Sequence, residues 1–302
     1  MTNYDLTILT ESRYVDKEKP NAYEQIVIEE DKLVIEALEA RGLKVNRVDW
    51  AGPDYDWNLT NNALFRSTWD YFDRINEFTK WIDLLSDKVN FINPVDLLLW
   101  NLDKHYLQEL AVKGINITET LFIEPGAKTS LKEVFQRAAW PDAILKPAVS
   151  GSARHTYRLS EFNIDAYEDI FQNLIASETM LLQPFQKSVQ QQGEVSLMYF
   201  DGQYSHGVLK VAKPGDFRVQ SEFGGTVNNY LATTDEIKLG EKAIKACKVI
   251  PSYARVDIIM DNSGHPSILE LELIEPELWF RLYPAAAYTL ADAVIKKIVK
   301  PA

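Results

Sequence analysis

Arg255-Val256-Asp257-Ile258 and Leu269-Glu270-Leu271-Glu272-Leu273 stand on either side of the turn-forming run Asp261-Asn262-Ser263-Gly264. Period-2 alternation puts Arg255 and Asp257 on one strand face and Glu270 and Glu272 on another, with the leucines pointing the opposite way. If the turn closes a hairpin over residues 253–260 and 266–274, the two charged faces coincide, with opposed Cβ atoms about 4.5–5.5 Å apart. Three carboxylates that close repel one another, and an otherwise apolar sheet shields them poorly. Two arrangements resolve the conflict. One is a hard divalent cation such as magnesium, which takes oxygen ligands and tolerates carboxylates plus substrate phosphates. The other is a solvated strand face whose acids pair with Arg255 and nearby lysines.

The rest of the chain bounds the choice. A length of 302 residues corresponds to roughly two domains of about 150 residues each. Hydrophobic residues make up 46% and charged residues 25%, the composition of a globular protein with a sizeable core. Acidic residues outnumber basic ones 44 to 32, a net charge of −12, the wrong sign for a diffuse grip on nucleic acid or anionic lipid. The single cysteine, Cys247, excludes an internal disulfide and any multi-thiolate metal site. No apolar run approaches the ~20 residues of a membrane span. With no basic leader followed by an apolar segment, the cytoplasm is the expected compartment.

Short strands alternate with amphipathic helices over roughly residues 1–95. Residues 4–10, 43–50, 63–68 and 89–92 read as strands. Ile26, Leu33, Val34, Ala37 and Leu38 share one helical face ending at Gly42, and Ile75, Phe78, Ile82 and Leu85 share another. That alternation predicts a parallel, doubly wound unit. Further on, residues 103–113 read as a helix, and 117–123, 143–146 and 180–185 as strands. Residues 186–193 read as a polar linker. Residues 194–200 and 203–211 form a hairpin around Asp201-Gly202, the second antiparallel hairpin signal of this half.

Three other segments carry chemistry. Lys146 ends an apolar strand and runs through Pro147-Ala148-Val149 into Ser150-Gly151-Ser152, a point charge beside backbone N–H groups able to cradle phosphate, or an ordinary tight turn. No Walker or dinucleotide glycine fingerprint occurs. Residues 210–225, from Lys210 to Gly224-Gly225, form a basic, glycine-flanked stretch around Arg218. It has few apolar anchors, as in a loop folding over an anionic substrate. Phe65-Arg66-Ser67-Thr68-Trp69-Asp70-Tyr71 sits at the carboxyl end of a predicted parallel strand. There Arg66 and Asp70 either face a ligand or form a surface pair. The four histidines lack metal-ligand spacing, and no G-x-S-x-G elbow is present.

Taken in order, these pieces resemble the ATP-grasp superfamily, in particular its glutathione synthetase-like branch. The resemblance implies an N-terminal α/β unit (1–95) followed by two α+β lobes (96–186 and 187–302) that hold ATP between them. Lys104, in Asn-Leu-Asp-Lys, and Lys146 look like the phosphate-binding lysines, with Ser150, Gly151 and Ser152 as the small-residue loop. Gln183-Pro184-Phe185 resembles the hinge that meets adenine, and Glu194 and Lys210 match nucleotide-side positions. Arg218 matches the loop arginine near the transferred phosphate. Asp257, Glu270 and Glu272 match the magnesium ligands, the last being asparagine in the usual pattern. The segments around Tyr204-Ser205-His206-Gly207, 215–220, 269–276 and 65–71 look most like the cyclo-ligases that close the cycloserine ring.

The resemblance implies a carbon–nitrogen ligase that uses ATP and magnesium (two ions expected, manganese able to substitute) to activate a carboxylate as an acyl phosphate. Arg66, Asp70, Arg218, Gly224, Gly225 and Arg255 would meet a small amino-acid-like substrate, with Arg218, Lys146 and Arg255 in the catalytic roles. Neither nucleic acid nor membrane is an expected partner, and a homodimer is left open. The alternatives are a glutamate-type ligase acting on a peptide or protein terminus, and an ATP-grasp protein that binds nucleotide without catalysis.

Overall fold

The computed structural model describes residues 3–15 and 18–298. Its first sheet joins β1 (Leu6–Thr10), β2 (Val45–Asp49), β3 (Asn62–Ser67) and β4 (Asn90–Ile92) in the order β2-β1-β3-β4, every pairing parallel. Helix α1 (Ala22–Glu39) connects β1 to β2, and α2 (Ile75–Leu85) connects β3 to β4, as right-spaced crossovers require. Asn21 starts α1 with a reciprocal capping box to Glu24, and Gly42 leaves it in the left-handed region at φ +83°.

The segment after β4 departs from the sequence reading. Helix α3 (Val95–Leu102) occupies a stretch whose leucines show no clear amphipathic stripe, because Leu99 lies on the exposed face while Leu97, Leu98 and Leu102 are buried with the polar Asn101. The next helix, α4 (Tyr106–Val112), starts later than expected, and residues 103–105 form the turn that carries Lys104.

The second sheet is antiparallel: β5 (Leu121–Ile123), β6 (Asp142–Pro147), β7 (Tyr157–Ser160) and β8 (Met180–Pro184), in the order β5-β8-β6-β7. Helices α5 (Leu131–Ala138) and α6 (Glu168–Ile175) bury Val134, Phe135, Phe171 and Ile175 in a core of its own with Leu145, Leu159 and Leu182.

The third sheet is β9 (Glu194–Phe200), β10 (Gln203–Val211), β11 (Thr226–Tyr230), β12 (Tyr253–Met260) and β13 (Pro266–Glu272), in the order β11-β10-β9-β12-β13. Asp201 and Gly202 both take positive φ, the tight turn that matches strand twist in a two-residue hairpin. The expected linker at 186–193 contains a short helix, α7 (Lys187–Gln191), tied to the third sheet by Ser188 Oγ donating to the Met260 carbonyl at 2.5 Å. Helix α8 (Thr234–Ala246) backs this sheet, and α9 (Ala285–Ile295) packs on α1. One core therefore runs from Leu6, Val34 and Leu38 through Met198 and Phe200 to Trp279, Leu290 and Val294. Among the described residues no helix is long and apolar enough to cross a membrane.

Candidate active site

A cavity of about 250 Å³ opens between the second and third sheets, with its far end against the first unit. Its floor is the β12–β13 hairpin. In that hairpin Asp257 is the cross-strand partner of Glu270, and Arg255 of Glu272, with a register shift just beyond Asp257. The charged faces therefore coincide, and all four side chains line the cavity.

Each carboxylate is taken up by a cation. Asp257 accepts from Arg255 Nη2 at 2.9 Å, from Lys210 Nζ at 3.2 Å and from Ser196 Oγ. Burial opposes its charge, yet Arg255 and Lys210 hold it well below the usual aspartate range. Glu270 pairs with Lys104 at 3.0 Å and Glu272 with Arg255. Burial also opposes the Glu270 charge, and Lys104 and Lys146 overcome it, leaving its pKa lowered. Glu272 goes the other way. Burial, with Glu270 and Asp257 close by, outweighs the pull of Arg255 and pushes its carboxyl up to about 7. Among the described residues no three acidic, histidine or cysteine side chains form a ready-made metal cage. The acids converge, and the protein's own cations compensate them.

The opposite wall supplies two of those cations, Lys104 and Lys146. Lys104, 4% exposed, sits in the turn before α4 and donates to the Ser150 carbonyl at 2.8 Å. Lys146 projects from β6, and burial together with Lys104 lowers its pKa despite Glu270, Glu194 and Asp257 nearby. Ser150, Gly151, Ser152 and Ala153 line the same side. Ser152, Ala153 and His155 have φ of +46°, +55° and +48°, a backbone that non-glycine residues rarely adopt and that clusters at ligand-binding segments. Gly151 lies so close to the first unit that a Cβ there would meet the Phe72 ring at 2.6 Å.

Gln183, Pro184 and Phe185 close the cavity at the end of β8, where the Phe185 N–H is spent on the Asp142 carbonyl. Glu194 and Lys210 pair with each other on β9 and β10. Burial works against the Lys210 ammonium, yet Asp257 and Glu194 hold its pKa above the usual lysine value.

Arg218 also lines the cavity, with its guanidinium bound to Asp216 at 2.8 Å and lying 3.8 Å over the Phe223 ring. Its segment is better anchored than its glycines suggest. Val219 is 2% exposed, and a Cβ on Gly225 would strike the Val219 carbonyl at 2.1 Å. Gly224 and Gly225 shape this turn from outside the cavity lining.

Arg66 and Asp70 are not brought to the cavity. Arg66 is 4% exposed, with Asp31 at 3.4 Å and the Pro276 carbonyl, to which it donates, at 3.2 Å. Asp70 accepts from the Trp50 indole and from Arg74, both at 2.7 Å. The strand-end rule located the right edge of the sheet, but Asp70 turns into its own unit and Arg66 is spent between Asp31 and the segment after β13.

Comparison with known proteins is informative here. Residues 6–93 match the family model described as the N-terminal domain of D-cycloserine synthetase DcsG. The cycloserine biosynthesis protein DcsG of Streptomyces lavendulae is 28% identical over 285 residues, covering 88% of this chain and 92% of that protein. The crystal structure of D-cycloserine synthetase DcsG matches with a TM-score of 0.85 at 25% identity, covering 96% of this chain and 98% of that one. The ATP-grasp ligase PsnB, complexed with the precursor peptide PsnA2 and AMPPNP, matches with a TM-score of 0.62 at 16% identity over 98% of both chains. The chain has the ATP-grasp fold.

The sequence reading missed much of the cavity's far end, walled by Tyr23, Trp69, Tyr71, Glu275, Glu277 and Trp279. These residues come from α1, from the segment after β3 and from the non-periodic run after β13. The available signal was the acidic and aromatic density of Glu275-Pro276-Glu277-Leu278-Trp279 directly behind the carboxylate strand. Burial and the Glu272 charge push the Glu275 carboxyl up to about 8 against the hydrogen bond from Tyr71.

Proposed function

We propose that this protein is an ATP-dependent ligase that phosphorylates the carboxylate of a small amino-acid-like substrate and lets a nitrogen nucleophile attack the acyl phosphate. The observation that carries the reading is the facing of Lys104 and Lys146 with Asp257, Glu270 and Glu272 across one cavity, with Arg255 beside them. A carboxylate oxygen attacks the γ-phosphorus and ADP leaves. The nitrogen then attacks the acyl carbon, inorganic phosphate leaves, and the nitrogen's proton passes to solvent. Phosphoryl transfer needs positioning and charge stabilisation rather than a protein nucleophile.

Lys104 and Lys146 neutralise phosphate oxygens, with the 150–153 loop against them and Gln183 to Phe185 at the nucleotide's far side. Glu194 and Lys210 complete that wall. Arg218 exchanges Asp216 for the transferred phosphoryl group, and Arg255 orients the substrate carboxylate. Oxygen-only donors whose Glu272 carboxyl is pushed up to about 7 fit a hard divalent cation, so Asp257, Glu270 and Glu272 are the residues to hold magnesium. When bound, as two ions in this reading, magnesium supplies charge neutralisation at the β- and γ-phosphate oxygens. Similarity to D-cycloserine synthetase DcsG supports a ring-closing form, with the nucleophile on the activated molecule itself.

The test is release of ADP and phosphate with a panel of amino acids, including O-substituted serines, and hydroxylamine to trap the acyl phosphate as a hydroxamate. Amino-acid-dependent ADP release with hydroxamate formation is expected. Tight ATP binding with no acceptor-dependent ADP release would make the protein a nucleotide binder instead. Turnover confined to peptides would make it a peptide-end ligase.

A further inference from the structure

Strand β13, which carries Glu270 and Glu272, is the outermost strand of its sheet, so its outer edge needs partners from elsewhere. At Ile268 the partner is backbone: the Ile268 N–H donates to the Asn116 carbonyl at 2.9 Å, and the Thr118 N–H donates to the Ile268 carbonyl at 3.0 Å. From Leu271 to Leu273 the partners are buried side chains. The Asn101 amide donates to the Leu271 carbonyl at 2.8 Å and accepts from the Leu273 N–H at 2.8 Å. The Tyr106 hydroxyl accepts from the Leu271 N–H at 3.0 Å, and the Asn93 amide donates to the Leu273 carbonyl at 2.8 Å.

A primary amide carries one acceptor and a donor group side by side, as a strand residue does, so Asn101 stands in for one residue of a further strand. Its two bonds fall on particular peptide units. The Leu271 carbonyl belongs to the unit before Glu272, and the Leu273 N–H to the unit after it. Holding both planes with one side chain fixes φ and ψ of Glu272, and with them the direction of its Cα–Cβ bond. On the other edge Glu272 is in register with Arg255. Tyr106 holds the unit between Glu270 and Leu271 in the same manner. Asn101 is 7% exposed and the two leucines are buried, so water has little access to replace a lost bond. Asn101 also lies in the last turn of α3, three residues before Lys104, the counter-ion of Glu270 at 3.0 Å. One short segment thus sets both carboxylates of β13 and the lysine that faces them.

We propose that Asn101 is a positioning residue for the divalent-cation site, fixing the Glu272 carboxylate relative to Glu270 and Asp257 while supplying no ligand itself. The proposal rests on the reading of those three acids as the holders of magnesium.

The quantity to measure is the factor by which Mn2+ tightens AMPPNP binding, from calorimetry in excess Mn2+ and in EDTA, so that no turnover is needed. Asn101→Ala removes the amide, and Asn101→Leu keeps its bulk while removing both hydrogen bonds. In each, the factor should fall by about 10- to 100-fold from wild type, the range for a group that orients a metal ligand, with the affinity in EDTA unchanged. Tyr106→Phe, a milder change that drops the Leu271 bond alone, should lower the factor in the same direction. The Mn2+ concentration for half-maximal ADP release should rise with the loss, and kcat at saturating Mn2+ should fall by less. Leu38→Ala, a buried deletion in the first unit, separates stability from positioning: its melting temperature should drop with the Mn2+ factor unchanged.

An undiminished factor in the three site variants, a factor restored in Asn101→Leu, an equal loss of affinity in EDTA, or the same loss in Leu38→Ala overturns the proposal. A wild type whose AMPPNP affinity ignores Mn2+ overturns it together with the cation assignment. The ligase reading fails separately. Absence of acceptor-dependent ADP release, with the Mn2+ factor lost in the Asn101 variants, removes only the ligase, whereas acceptor-dependent release with an undiminished factor removes only the positioning role.

Discussion

Replacing Glu270 by Gln keeps the shape of the side chain and removes its charge, and two arguments predict opposite outcomes for stability. From repulsion among Asp257, Glu270 and Glu272 alone, the variant should be more stable. The structure reverses that sign, because Glu270 is the counter-ion of Lys104 at 3.0 Å and Lys104 is almost fully buried. At the 3.0 Å separation and an effective dielectric near 20, the gross attraction is about 5 kcal/mol. Desolvation of both groups offsets most of it, leaving about 1–3 kcal/mol net for a charge-assisted hydrogen bond of this kind. Urea denaturation followed by tryptophan fluorescence, without nucleotide, should show Glu270→Gln destabilised by that amount. Lys104→Met should fall in the same range, and the double variant should cost less than the sum, since the second change has no pair left to break. The same Gln variant should lose ADP release. An unchanged or raised urea midpoint for Glu270→Gln, or strict additivity with Lys104→Met, would refute the view that the lysines neutralise the carboxylate wall.

Gly151→Ala should destabilise by about 1–3 kcal/mol through its clash with the Phe72 ring, and Phe72→Leu should restore most of the loss; a melting-temperature cycle with no coupling would contradict the contact. Arg218→Ala should lose about a hundredfold in kcat with the KM for ATP little changed, because its phosphate contact forms only after Asp216 is released; steady-state kinetics separates the two. His206 donates to or accepts from its neighbours as a neutral ring, with burial pushing its pKa down to about 4. The unfolded chain protonates it near 6.5, so its contribution is full above that pH and is lost as pH falls towards about 4. Wild type should therefore lose about 2 kcal/mol more stability between pH 7 and pH 5 than His206→Gln does, measured by urea unfolding at both pH values.

What was legible in the sequence follows from periodicity. The β12–β13 hairpin announces itself because charge and leucine alternate over both strands and a four-residue turn lies between them, and that one feature located the floor of the site. Lys146 was legible as the last residue of an apolar strand before small residues. Helix α3 was not, since an exposed Leu99 and a buried Asn101 blur the stripe that Leu97, Leu98 and Leu102 make. Arg66 and Asp70 show the limit of a rule about strand ends. The rule finds the edge of the sheet but not the rotamer, and Asp31 and Trp50, distant in sequence, decide where those side chains turn. Glu275 and Trp279 were missed for the converse reason: they line the cavity from an irregular segment whose path is set by Glu30 and Arg66, neither of which is adjacent in the chain.

The layout of the cores has a mechanical consequence. The helix near the end of the chain, α9, shares one apolar core with β1, α1 and β9, so the first unit and the third sheet are welded together. The second sheet has a core of its own between Ile123 and Leu182, and meets the third sheet's core through Leu181, Ala148 and Phe122. The molecule thus has one large body and one small one, joined through Leu181, Ala148 and Phe122, with the lysine of β6 on the small body and the carboxylates of β13 on the large. On the proposed function, a polyphosphate gripped from both sides would act as a rivet between them. In amide hydrogen exchange, β5 to β8 should open as a separate unit when empty and merge with the rest once nucleotide is held.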